Sequence, residues 1–450
     1  MFNAREHERM SDMAAPVCSI PGRITLALLV FCLAGCATYS KQAVSMRDNL
    51  LLGRADLALV TAEEKDQSQG DVLASLNKGM LRRMTGDYAG SNRIFEIAKQ
   101  NMESLYGISI TDAAASVTIN DAVRDYKGDR YEQVLVHAYM AMNYLQLGEL
   151  DAARVEMLQA DVKMMEWGEQ PDEDPFVRYF SGMIFEALGE EDQALVAYRK
   201  AGNIYASTSA AQSVGVPDLL KRDLLRLLAQ QGLRDEYNKL KARFDLAGFT
   251  PKKVKGNVGE LIVILNNGLA PIRTETAIMT YSPEVQGNVR VAFPIYESSP
   301  KPVHRARLQV RKKRVELETV EDIDSLAREA LDQDMPLVMA RALARAVVKY
   351  QSQKNAQEQS PLAGFLLTVT NLATERADTR SWTTLPQEIQ LARVQLPAGQ
   401  QQVSIEIINA AGQPVDVIEA EVDIKPERIT FLTPHWIAPK PVQTRMANSK

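Results

Sequence analysis

Side chains able to do chemistry are sparse in this chain, and their spacing decides which chemistry is open to it. Beyond the N-terminal region there are three histidines, His137, His304 and His435, far apart and without cysteine partners, so a His/Cys metal site is not expected. His137 falls four residues before Ala141 on a helical pattern, where a packing residue belongs. Two Ser-x-x-Lys spacings occur, Ser75 with Lys78 and Ser298 with Lys301. On a helix that spacing brings a hydroxyl beside an amine that can activate it for acyl transfer. Neither has the companion motifs such a site needs, and the second lies in a proline-rich loop. The acids Glu169, Asp172, Glu173 and Asp174, interrupted by Pro171 and closed by Pro175, lack calcium-loop spacing. G-x-S-x-G, H-E-x-x-H and G-x-x-x-x-G-K-[ST] are absent. No catalytic residue, metal or cofactor is assigned, and the chain is read as not an enzyme.

One residue does carry a specific chemistry. Arg23 precedes an apolar run, Ile24 to Leu33, of roughly ten residues, too short to cross a hydrocarbon layer about 30 Å thick. Leu33-Ala34-Gly35-Cys36 follows and resembles the lipobox of bacterial lipoproteins, in which the cysteine thiol takes a diacylglycerol. Residues 1–35 are therefore expected to be a lipoprotein signal peptide and Cys36 the lipid attachment site. Two or more acyl chains, palmitate among them, anchor stably where one binds reversibly. Ala37 stands where an aspartate would resemble an inner-membrane retention signal. The expected location is the outer membrane, lipid-anchored and facing the periplasm. The remaining cysteines, Cys18 and Cys32, precede the cleavage point, so the mature chain holds no disulfide and must be stabilised by burial. With a net charge of −5 there is no basic excess to neutralise phosphates, which argues against nucleic acid as a partner.

The elements behind these residues fall into two grammars. After a tether and first helix over 36–70, residues 71–248 repeat apolar positions at three and four, a helical period. Three helix pairs turn at Gly86, Gly148 and Gly189, with a small residue seven before the glycine (Gly79, Ala141, Gly182). A small residue follows at five (Ser91, Ala153, Ala194), a large one at nine (Phe95, Met157, Tyr198) and alanine at twelve (Ala98, Ala160, Ala201). Small residues at a crossing let helices approach, and the glycine ends the first of each pair. The pattern resembles the tetratricopeptide repeat. A degenerate fourth pair turns at Gly232 and is expected to cap the stack. The spacing between turn glycines exceeds the 34-residue period of that repeat, so segments are inserted, the largest from Leu105 to Tyr131.

Strands follow from 254 to 433: Glu260–Leu265, Thr276–Thr280, Asn288–Phe293, Ala306–Glu316, Ile389–Leu396, Gln402–Ile408, Val415–Ile424 and Arg428–Leu432. A helical insertion over 320–351 is expected to break at Pro336, and the tail 434–450 to be mobile. The fold class is α+β: a tetratricopeptide-like solenoid followed by a β-sandwich-like domain with a helical insertion.

Two surfaces are candidates for binding. Inner-helix residues Arg82, His137, Tyr144, Arg178 and Phe185 would line a concave groove for a peptide or protein. Arg305, Arg307, Arg311 and Lys313 alternate so as to share one face of a strand, either for an anionic ligand or to keep an edge strand from pairing. Ala363–Ala373 is apolar and short, a buried segment or else a membrane-surface patch or partner groove, and Trp382 beyond it would fill a packed corner.

Tyr126 to Glu132, Asn266 to Pro271, Ala340 to Ala346 and Ala377 to Pro386 are similar to segments of a family of uncharacterised tetratricopeptide-bearing bacterial lipoproteins. That resemblance covers nearly all of the mature chain, assigns no activity, and implies a role in envelope assembly. The expected function is a protein-interaction scaffold of peptidoglycan or outer-membrane machinery. The alternative is a carbohydrate- or lipid-binding accessory of polysaccharide export, and an envelope hydrolase comes last.

Overall fold

The computed structural model describes residues 44–64, 70–109, 125–167, 173–207, 213–251, 254–297, 305–361 and 376–439. The leader with Cys36, His304, the Ser298/Lys301 spacing, Glu169, Asp172, most of the long insertion and the apolar run up to Ala373 lie outside the described residues. Among the described residues no helix is long and apolar enough to cross a membrane.

Helix α1 (Ala55–Glu64) precedes four antiparallel pairs. These are α2 (Val72–Met84) with α3 (Tyr88–Ser109), α4 (Arg130–Leu147) with α5 (Leu150–Glu166), α6 (Pro175–Ala187) with α7 (Glu191–Ser207), and α8 (Asp218–Gln230) with α9 (Arg234–Arg243). Their starts are fixed by acidic caps that satisfy otherwise orphaned amides. Asp71 accepts from the Leu73 and Ala74 amides at 2.9 and 3.1 Å. Asp129 and Glu132 form a reciprocal capping box on α4, and Asp174 accepts from the Val177 amide at 2.8 Å with Pro175 in the first turn. The turn glycines adopt the left-handed conformation that ends each leading helix.

The small-against-large rule has a direct geometric cause. A Cβ on Gly79 would stand 2.5 Å from the Phe95 ring, and one on Gly182 would stand 2.3 Å from the Tyr198 ring. Each large residue lies on the bare backbone of the helix before it. Phe95, Met157 and Tyr198 are buried, as are the alanines at Ala98, Ala160 and Ala201.

The β-domain holds β1 (Val258–Asn267), β2 (Arg273–Ser282), β3 (Gly287–Tyr296), β4 (Arg305–Val310), β5 (Lys313–Glu316) and β6 (Glu318–Asp322). Helix α10 (Ile323–Gln359) is followed by β7 (Glu388–Pro397), β8 (Gly399–Ile408), β9 (Pro414–Ile424), β10 (Ile429–Leu432) and β11 (His435–Trp436). One sheet runs β10-β1-β7-β6 with β11 continuing the β10 edge of β1, and the other runs β5-β4-β8-β9. Leu261, Val263, Leu265, Val394 and Leu396 of the first meet Leu308, Val310, Ile405, Ile407 and Ile424 of the second in the sandwich core.

Several elements differ from the sequence expectation. The strand expected from Ala306 to Glu316 is a hairpin turning at Arg311, whose φ is 53°. The helical insertion is one helix, unbroken at Pro336. Pro336 and Asp332 are exposed, so water can take the carbonyl that proline leaves without a donor, while packing on either side holds the axis. Strands β2 and β3 stay outside the sandwich as a separate hairpin, with Val289 and Val291 against Ala342 and Ala346 of α10. The tail expected to be mobile begins with β11, which buries Trp436 in the sandwich core.

Candidate functional site

Strand β1 is buried along both faces, and one of them looks away from the sandwich core. The inner helices α2, α4, α6 and α8 cover that second face. The inner-helix side of the repeats is thus occupied by the chain's own β-domain, and many of the buried polar groups lie at this junction.

Its first half is aromatic and is built around one buried guanidinium, Arg83. Tyr139 of α4 hydrogen-bonds the Asn266 Oδ1 of β1 at 3.1 Å, and Gln146 donates to the Phe431 carbonyl of β10 at 3.3 Å. Arg83 of α2 donates to Asn143 Oδ1 at 2.6 Å and to the Thr433 carbonyl and hydroxyl at 2.9 and 2.6 Å. Burial pushes the Arg83 guanidinium down to about 10, and the Tyr88 and Tyr139 rings beside it work against that shift. His435 lies against Tyr139, and burial followed by the Arg83 charge holds its pKa far below the usual imidazole range. Trp382 meets both Phe95 and Tyr139 edge-on at 5.8 Å and donates its indole N–H to Thr384, which donates to Asn77 of α2. The expected packed corner at Trp382 is therefore built against the repeats.

Glu132 stands at the edge of this region. Its carboxylate accepts from the Trp382 amide at 2.8 Å, the Asp129 amide at 3.0 Å and the Tyr126 hydroxyl. Burial and then Asp129 raise it to about 7, against the pull of those donors and of Arg273. Arg273 of β2 pairs with Asp129 and lies 5.2 Å from the Tyr296 ring. Three segments that carry the lipoprotein resemblance meet here: Glu132 bonds Trp382, and the Ala270 amide bonds the Leu385 carbonyl at 2.8 Å.

The second half is ionic. Arg393 of β7 reaches across to Glu186 of α6 at 2.6 Å and Asp223 of α8 at 3.2 Å, and it pairs with Glu260 on its own sheet. Arg226 completes the set at 2.8 Å from Glu186 and 3.0 Å from Asp223. Tyr179 and Tyr198 donate to Asp223 and Glu186, each at 2.8 Å. Burial alone would raise Glu186, but Arg393 and Arg226 outweigh it and hold the group well below the usual carboxylate range. An ion network this dry is costly to leave half-made, so it fixes one register of helices on sheet.

The five side chains expected to line the groove are placed elsewhere, between one helix and the next. Arg82 pairs with Glu63 of α1 and with Asp87 at its own turn. His137 is 2.8 Å from Glu156 of α5, which also holds Lys99 at 3.1 Å. Burial lowers the His137 pKa, and Glu156 opposes that. Tyr144 is part-exposed among Glu156, Glu149, Lys99 and Glu96. Arg178 pairs with Asp161 and Glu173, and Phe185 lies under the Arg154 guanidinium at 5.9 Å. The residues of α4 that do meet the β-domain recur every seven positions, Glu132, Tyr139 and Gln146, and on α6 Glu186 meets it seven positions after Tyr179, which holds Asp223 of the same ionic set. That heptad of polar and aromatic groups on otherwise apolar helices was the available signal.

The basic strand is also redistributed. Arg305 and Arg307 lie on the outward face of β4, where Arg307 pairs with Glu316 at 2.6 Å. Arg311 occupies the turn, and Lys313, opposite Val310, donates to the Gln395 carbonyl at 2.6 Å. The four do not share a face, because the chain reverses among them. Among the described residues no group of three or more His, Cys, Asp or Glu is placed to hold a metal ion.

No protein-family model matches the chain, and no curated protein matches its sequence. Solved structures similar to it include MamA from AMB-1, 17% identical, covering 46% of this chain and 94% of that one with a TM-score of 0.29. Nearly identical TPR-like repeats assigned to a kinesin light chain of Podosopora anserina are 13% identical, covering 46% and 93% with a TM-score of 0.32. Likeness at that level carries no argument about function, and the repeat assignment rests on the packing above.

Proposed function

We propose that the chain is a protein-interaction scaffold of the bacterial cell envelope, anchored through lipid on Cys36 to the outer membrane and serving peptidoglycan or outer-membrane assembly. The anchor rests on Leu33-Ala34-Gly35-Cys36 and the short apolar run before it. The observation that carries the scaffold role is a surface. The inner groove is filled in cis, while α5 presents Val155, Leu158, Val162 and Met165 to solvent, 48, 38, 53 and 55% exposed. The spacing of three, four and three is an apolar seam along one helix face, which fits an amphipathic helix of a partner carrying a matching seam.

A photocrosslinking residue at Leu158 in the intact, membrane-bound protein tests this. The expected adduct joins the seam to a helical segment of one envelope protein, and Val162→Glu with Met165→Glu abolishes it without unfolding the chain. An adduct that survives the double substitution would refute the seam as the working surface.

The alternative, an accessory that binds an anionic glycan or lipid, draws on one observation. Arg311, Lys312, Lys313 and Arg314 follow one another at the exposed β4–β5 turn.

A further inference from the structure

The junction contains a second pair of buried carboxyls with no cation between them. Asp174 caps α6 through Oδ1, and Glu321 lies on β6, the edge strand of the sheet that the repeats cover. The two residues are only 3 and 4% exposed. Asp174 Oδ2 and Glu321 Oε2 are buried and meet no donor, and the two carboxyls are hydrogen-bonding neighbours. Two carboxylate oxygens in that relation repel when both are ionised. They bond when one carries a proton, as in any close carboxyl pair sharing a site.

Among the described residues, the groups around the pair supply no counter-charge. Asp322 and Glu318 flank the pair on β6, with Asp322 capping α10 through Ser325 and Glu318 accepting from the Asp218 and Leu219 amides. Glu388 of β7 stands opposite Asp322. From α7 the Tyr205 hydroxyl donates to the Val320 carbonyl at 2.5 Å, and from α4 Tyr139 faces the pair. Among the described residues, the titratable groups acting on the pair are acids and phenols.

We propose that Asp174 and Glu321 hold one proton between them, and that this proton is a latch fastening the third repeat to the edge of the sandwich, released when it is lost. Burial raises Asp174 to about 6 against the Val177 and Phe176 amides, and burial followed by Asp174 raises Glu321 further. Groups whose folded pKa is raised stabilise fully below their unfolded pKa and lose that contribution as pH climbs through the folded one. Asp174 gives up its own proton near pH 6, which leaves one proton on Glu321 shared with Asp174, so the latch stays closed through that range and opens only as pH climbs past the raised Glu321 value.

The test is amide hydrogen exchange on the full mature chain from pH 5 to 10, corrected for the intrinsic rate. Protection of residues 176–179 and 319–323 is expected to hold through pH 6 and to fall about tenfold once Glu321 loses its proton. Glu321→Gln, whose amide donates permanently to Asp174 Oδ2, is expected to be flat with pH and better protected than the wild type at the alkaline end of that range. Asp174→Asn does the same from the other side and keeps the α6 cap. The same slope in either folded variant as in the wild type overturns the latch. Carboxyl carbon NMR titration of the wild type decides the matter without any variant. Ordinary titration of both groups below pH 5 overturns the proposal, and one group staying protonated above pH 6 upholds it.

Discussion

The inner and outer faces of the helical layer are made by the same repeats and carry opposite chemistry. On the inside, α2, α4, α6 and α8 end in groups that hydrogen-bond or ion-pair with the sandwich: Asn77, Arg83, Glu132, Tyr139, Glu186 and Asp223. On the outside, α5 carries four apolar side chains that are about half exposed. Apolar surface is indifferent to register, whereas a buried donor left without its acceptor costs free energy at every wrong setting. The face committed to one partner in cis is the polar one. The face left apolar suits an occupant from outside the chain.

The sharpest way to break this contrast is to remove the cation that joins the two domains. Arg393→Met leaves Glu186, Asp223 and Glu260 buried with Arg226 as their one remaining guanidinium. The expected loss is about 3–5 kcal/mol, the usual result of deleting one member of a buried ionic set. Chemical denaturation of the mature chain measures it. The Glu186 share of that stability is present above its unfolded pKa and disappears as pH falls through its depressed folded value. The wild-type advantage over Arg393→Met must therefore shrink in acid. An unchanged difference at low pH would mean that the network does not set the register.

A smaller effect is expected inside the repeats. Gly182→Ala drives a methyl to within 2.3 Å of the Tyr198 ring, whose hydroxyl is held by Glu186, so the ring cannot simply swing away. Overpacking of that kind costs roughly 1–3 kcal/mol. Because Tyr198 also serves the ionic network, the cost should not add to that of Arg393→Met in a double-mutant cycle.

Much of this was legible in the sequence, and the places where it was not have physical causes. The repeat grammar was open to view because small and large residues at fixed offsets from a turn glycine have one packing solution, as Gly182 and Tyr198 illustrate. The sandwich strands were open to view where one face is wet. The junction was hidden, although Glu260-Leu261-Ile262-Val263-Ile264-Leu265 carries no alternation, and a strand apolar at every position is covered on both faces. Likewise α4 is buried at every position from Tyr131 to Asn143, which a groove open to solvent would not permit. The side chains placed in the groove were those at repeat-packing offsets, and such offsets point between helices. Nothing in spacing alone says that Arg393 pairs with Glu186 and not with its neighbours, because 207 residues separate them.

The smallest expected effect is on the outer face, and it tests the contrast from the other side. Val162→Ser with Met165→Ser removes apolar groups that are already about half exposed, so little burial is lost. Exposed substitutions away from caps and networks change stability by within about 0.5 kcal/mol. The midpoint of denaturation should stay in place while the crosslink from Leu158 weakens. If the serine pair instead destabilised the isolated chain by as much as Gly182→Ala, the α5 seam would be covered by another part of the same protein. The outer face would then be a second intramolecular contact, and the partner would have to be sought at the basic β4–β5 turn.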